Sequence, residues 1–69
     1  MIAIARFRTP TASAAEFKAS LAAALAAFAA RDGFISGDYG QNLDEGDLWT
    51  LVTHWSNVGS YRRALSSTA

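Results

Sequence analysis

The stretch from Leu48 to Leu65, LWTLVTHWSNVGSYRRAL, constrains this chain more than any other. Leu48–Trp55 is rich in β-branched and aromatic residues, which fit a pleated, half-buried surface. A polar break at Ser56 and Asn57 follows, either of which can cap a helix. A short helix then starts near Val58, with Val58, Tyr61 and Leu65 as its apolar stripe. Trp49, Trp55 and Tyr61 fall inside this stretch, beside the single histidine, His54. Such a cluster forms either a core or the wall of an apolar pocket, and function turns on which.

The rest of the chain supplies the elements around it. Ile2 to Arg8 alternates loosely: Ile2, Ile4, Arg6 and Arg8 share one side of an extended segment, and Ala3, Ala5 and Phe7 the other. Pro10 closes this strand. Ser13 to Arg31 reads as a helix. Ser13 and Glu16 have the spacing of a capping box, and alanine, the best helix former, dominates. Phe17, Leu21, Leu25 and Phe28 recur as one helical stripe. Gly33 is placed to end the helix in the left-handed conformation.

Phe34 to Gln41 reads as a second strand interrupted by Gly37 and Gly40, where a bulge or a close approach is expected. Asn42 to Asp47 is a turn, so the second and third strands make a hairpin. Ser66 to Ala69 is expected to fray. The order β-α-β-β-α is α+β and ferredoxin-like, lacking the fourth strand of that pattern. Residues 1–69 make a single domain.

Size adds a requirement. A chain of 69 residues buries a smaller fraction of its surface than a longer one. With no cysteine, neither a disulfide nor a thiolate metal site can supplement the core. Both faces of the third strand are apolar or aromatic, and the helices cover only one. The other face calls for a partner sheet, and self-association is the expected remedy.

Composition narrows the partners. Six basic and six acidic side chains cancel. That balance lacks the basic field that holds nucleic-acid phosphates and the polybasic patch that draws a protein to anionic lipid. No nucleic-acid or membrane partner is expected. The longest uninterrupted apolar run, Leu21 to Ala30, is about half of the roughly 20 residues of a membrane span. MIAIARFRTP has no charged leader ahead of an apolar run, so a cytoplasmic location is expected.

Taken in order, Asp32-Gly33-Phe34, the Gly40-Gln41-Asn42-Leu43-Asp44 exit from the second strand, Leu48 to Trp55, and Val58-Gly59-Ser60-Tyr61-Arg62-Arg63-Ala64-Leu65 resemble the antibiotic biosynthesis monooxygenase superfamily. The resemblance spans nearly the whole chain, and the run from Trp55 to Leu65 is its most specific part. It implies a dimeric α/β barrel, a homodimer or higher assembly in which two sheets pack face to face. The substrate pocket of each subunit then lies between its sheet and its helices. It also implies a cofactor-independent monooxygenase-like protein acting on an aromatic or polycyclic substrate. Members usually run longer, with a fourth strand that helps bind the partner. The haem-degrading members use a first-strand asparagine and a last-helix tryptophan. Phe7 and Ala64 stand nearest those positions here, so that chemistry is not expected.

Within this reading His54 is the proton acceptor, because it is the residue whose ordinary charge change lies near neutral pH. Removing a phenol proton makes an electron-rich anion, which ground-state dioxygen requires. Trp49, Leu51, Thr53 and Trp55 share one strand face, on which Trp49, Thr53 and Trp55 form a flat slot with Phe7, and the small Ala3 and Ala5 leave room for a ligand. Tyr61 offers a phenolic hydroxyl to a substrate oxygen. Each has a plainer alternative: a solvated histidine, core tryptophans and a surface tyrosine. Arg62 and Arg63 are adjacent and read as a solvated pair. Asp44, Glu45 and Asp47 lack the pattern of a calcium loop, the glycines lack that of a phosphate loop, and no metal site is expected. The competing functions are a non-catalytic ligand-binding or structural dimer, and a cyclase or isomerase.

Overall fold

The computed structural model describes residues 1–67. Strand β1 (Ile2–Arg8) leads through a 3-10 turn at Thr11–Ser13 into helix α1 (Ala14–Ala29). Strands β2 (Phe34–Gln41) and β3 (Leu48–Trp55) form a hairpin, and helix α2 (Val58–Ser67) follows. The sheet order is β1-β3-β2, with β3 antiparallel to both neighbours. β1 and β2 therefore run parallel with β3 inserted between them, the split arrangement of a ferredoxin-like α+β fold.

The central strand explains the layering. Trp49, Leu51, Thr53 and Trp55 are buried, whereas Leu48, Thr50, Val52 and His54 between them are only half-buried. Both helices lie on the buried side. Leu21 of α1 joins Trp49 and Leu51 in the core, with Phe17, Leu25 and Phe28 packed against them. Trp55 is 0% exposed. It is ringed edge-on by Phe28 and Phe34 at centroid distances of 5.9 and 5.4 Å, with Tyr61 tilted against it at 5.8 Å. Aromatic pairs prefer such tilted and edge-to-face arrangements over a stacked sandwich.

Two glycines permit this packing. Gly33 has φ +85°, the left-handed stop expected after α1, and a side chain there would run into Ser60. Its carbonyl accepts from the Ser56 N–H at 2.8 Å. A Cβ on Gly37 would stand 2.5 Å from Leu25 Cδ1, so the missing side chain lets α1 settle onto β2. The irregularity in β2 falls at the Phe34/Ser36 step rather than at a glycine.

Three local expectations are corrected. Ser13 does not cap α1 with its side chain. It already lies in the 3-10 turn, donating its N–H to Pro10 O at 2.9 Å, and its φ of −100° and ψ of 11° are not the extended geometry a capping side chain needs. The apolar stripe of α2 is rotated: Val58 and Leu65 are exposed, and the buried residues are the small Ser60 and Ala64. Small side chains let the helix approach Gly33. Ser66 and Ser67 belong to α2 instead of fraying, and Thr68 and Ala69 lie outside the described residues.

The helical stretch Thr11–Ala29, 19 residues long, is long and apolar enough by composition to cross a membrane, although no unbroken apolar run in it is. Its larger side chains pack on the sheet instead. Beyond the core, Arg8 reaches Asp47 at 3.0 Å and Glu45 at 3.3 Å, linking β1 to the hairpin turn. The hydrogen bond to Asp47, followed by the charges of Asp47 and Glu45, raises the pKa of this exposed guanidinium.

Candidate functional site

Between the sheet and α2 lies a cavity of about 110 Å³. β1 contributes Ala3, Ala5 and Phe7, whose alternation turns them to the helix side. β3 contributes Leu51 and Thr53, α1 contributes Phe28, and α2 contributes Tyr61 and Leu65. The alanines make the space, since larger residues at positions 3 and 5 would fill it. Of these eight lining residues, only Thr53 and Tyr61 carry a polar side-chain atom. Such a wall, apolar with a few placed polar groups, is typical of small-molecule sites.

Thr53 is 3% exposed, and its Oγ1 accepts a hydrogen bond from Trp55 Nε1 at 2.8 Å. Its methyl group lies on the β2 side, 3.3 Å from where a Gly37 Cβ would stand. The volume is near that of a cavity that holds a benzene ring, about 150 Å³. It therefore suits one ring or the edge of a larger ring system.

The expected slot divides. Phe7, Thr53 and Tyr61 line the cavity, as do Ala3 and Ala5. Trp55 stands behind it and supports Thr53 and Tyr61. Trp49 packs against Phe17 at 5.7 Å, and Phe17 in turn meets Phe7 at 5.7 Å. Both tryptophans are core rings rather than lining rings.

His54 is on the opposite face of the sheet. It stands across from Ile2 on β1 and Ser36 on β2, over a shallow hollow shared with Asp38 and Val52. The sheet separates it from the cavity. Residues 49, 51, 53 and 55 face one way in a strand, so residue 54 faces the other. That parity was readable in the sequence. Phe28 and Leu65 are cavity residues that sequence reasoning missed. Leu51 had the same parity signal, whereas Phe28 and Leu65 reach the site only through helix docking.

A more polar cleft of about 230 Å³ lies between α1 and α2, bordered by Arg31, Asp32, Ser60 and Arg63. It has no aromatic wall. Among the described residues no three His, Asp or Glu side chains gather as metal ligands would.

The antibiotic biosynthesis monooxygenase family model matches residues 1–69. The chain belongs to that family. The family assignment agrees with its solved neighbours. A mutant of SnoaB, a cofactor-independent oxygenase from Streptomyces nogalater, is 26% identical with a TM-score of 0.86, over 94% of this chain and 65% of that one. PA3566 from Pseudomonas aeruginosa is 20% identical with a TM-score of 0.79, over 94% of this chain and 66% of that one. A conserved protein from Methanosarcina mazei Go1 is 17% identical with a TM-score of 0.81, over 94% and 63%. The last two show a shared fold. The chain spans less than two thirds of the length of each of the three. A comparison with curated proteins finds no match. Antibiotic biosynthesis monooxygenase family members commonly form dimers.

Proposed function

We propose that this chain is a cofactor-independent monooxygenase-like protein that takes an aromatic substrate into the cavity beneath α2. The observation that carries the reading is the cavity itself: a ring-sized apolar space with two hydroxyls, placed between sheet and helices. Family membership and the likeness to an oxygenase support it. Phe7, Phe28 and Leu51 would grip the ring, and Tyr61 and Thr53 would orient a substrate oxygen. A phenolic substrate that gives its proton to water or a buffer base binds as an electron-rich anion, the form of substrate from which dioxygen accepts electrons.

His54 is not placed to take that proton inside the same subunit's cavity. Its position favours a different role, at the contact between two sheets. The homodimer is part of this proposal: Ile2 at 58% exposure and Ile4 at 63% flank Val52 and His54 on the uncovered face.

Oxygen uptake with a panel of anthrone-like phenols tests the reading. Uptake by the wild-type chain, sharply reduced in Tyr61→Phe and retained in His54→Ala, is the expected result. Phenols that raise the melting temperature without oxygen uptake would point to a non-catalytic binding protein. Conversion without oxygen uptake would point to a cyclase or isomerase. No thermal shift with any aromatic compound would remove the cavity from consideration.

A further inference from the structure

The hydrogen bond between the side chains of Trp55 and Thr53 has a direction, and that direction sets the polarity of the cavity. An indole N–H only donates. Thr53 Oγ1 must therefore be the acceptor in the 2.8 Å contact. A threonine hydroxyl has one hydrogen to donate, and here that hydrogen cannot lie along the line to Trp55. Among the described residues Thr53 makes no other side-chain hydrogen bond.

The rotamer is held as well. The methyl group occupies the β2 side against Gly37, and Trp55, wholly enclosed, fixes the indole that holds the oxygen. Thr53 also borders the cavity. A buried hydroxyl whose hydrogen has no protein acceptor carries a penalty that a ligand acceptor removes.

We infer that Trp55 turns Thr53 into an oriented hydrogen-bond donor, so that the cavity selects ring ligands bearing an acceptor oxygen, a carbonyl or phenolate, over hydrocarbons of the same shape. The inference rests on the cavity being the ligand site. Thr53 is then a specificity-determining residue and Trp55 a positioning residue that never touches the ligand. The selection comes from chemistry rather than volume, because the remaining walls are apolar except for Tyr61.

Benzaldehyde and its hydrocarbon isostere styrene provide the test, with binding followed by tryptophan fluorescence. The comparison is made in Tyr61→Phe protein, which leaves Thr53 as the sole side-chain donor. A net hydrogen bond corresponds to about fivefold in affinity, so benzaldehyde is expected to bind about fivefold tighter than styrene in that background. Adding Thr53→Val removes the preference, and adding Thr53→Ser keeps it. The bound aldehyde's carbonyl stretch, read in the Tyr61→Phe protein alone, lies below its position in a hydrocarbon solvent. That measurement stands even where Thr53→Val does not fold. Equal binding of the two probes, or an unshifted stretch, overturns the inference and leaves the cavity as the ligand site. Failure of both probes to bind overturns the cavity reading and this inference together.

Discussion

Trp49 and Trp55 lie six residues apart on the same face of β3, and both are almost fully enclosed. Their indole nitrogens differ. Trp55 Nε1 donates to Thr53, whereas Trp49 Nε1 is buried without a partner among the described residues. An unsatisfied buried donor costs about 1–3 kcal/mol, which offsets part of what the Trp49 ring contributes by packing. Trp49→Phe deletes that donor together with some ring volume and is expected to change stability by less than about 1 kcal/mol. Trp55→Phe loses a made hydrogen bond and opens a void at a wholly enclosed residue, and is expected to cost about 2–4 kcal/mol. Urea unfolding of the two variants checks the contrast, and equal losses would show that ring volume alone governs both sites.

At the level of elements, the two helices start differently. Asn57 Oδ1 accepts the Ser60 N–H at 2.9 Å, which satisfies one of the open donors at the start of α2. Ser13, despite Glu16 three residues on, makes no such bond at the start of α1. Asn57→Ala is expected to lower stability by about 1 kcal/mol, with Asn57→Asp retaining most of it. Ser13→Ala is expected to stay within about 0.5 kcal/mol of the parent. Thermal melts of the variants decide it; a loss at Ser13 matching that at Asn57 would mean that the capping box forms in solution. The capping-box spacing was visible in the sequence, but Pro10 and the 3-10 turn after it took Ser13 out of the required backbone geometry. The strands were more legible. Their alternation and the turn residues between them bounded β1, β2 and β3 at the observed residues, because a strand's faces are set by period-two chemistry that the chain carries locally. The orientation of α2 was not legible. Its large apolar residues suggested one buried side, and close approach at Gly33 selected the side with Ser60 and Ala64.

For the molecule as a whole, the sheet face opposite the helices is uncovered. Ile2, Ile4 and Val52 form an apolar strip on it, and nothing lies within 4 Å of the place a Gly40 side chain would occupy. Apolar strips of this kind mark association surfaces. Sedimentation of the proposed dimer is expected to show Ile4→Glu shifting the chain toward monomer, with the far-ultraviolet spectrum unchanged. A wild-type chain that sediments as a monomer at micromolar concentration would remove the face-to-face dimer.

The sequence by itself determined the element order, the strand faces and the family, because periodicity, turn chemistry and the run from Trp55 to Leu65 are local. It also placed Phe7, Thr53 and Tyr61 among the candidates, and the parity of β3 already set His54 apart from them. Only the tertiary structure decided that the tryptophans are core rings and that Phe28 and Leu65 close the cavity. It alone showed that Thr53 holds the indole of Trp55. Those facts depend on how two helices dock on one sheet, and docking is governed by packing between residues far apart in the chain.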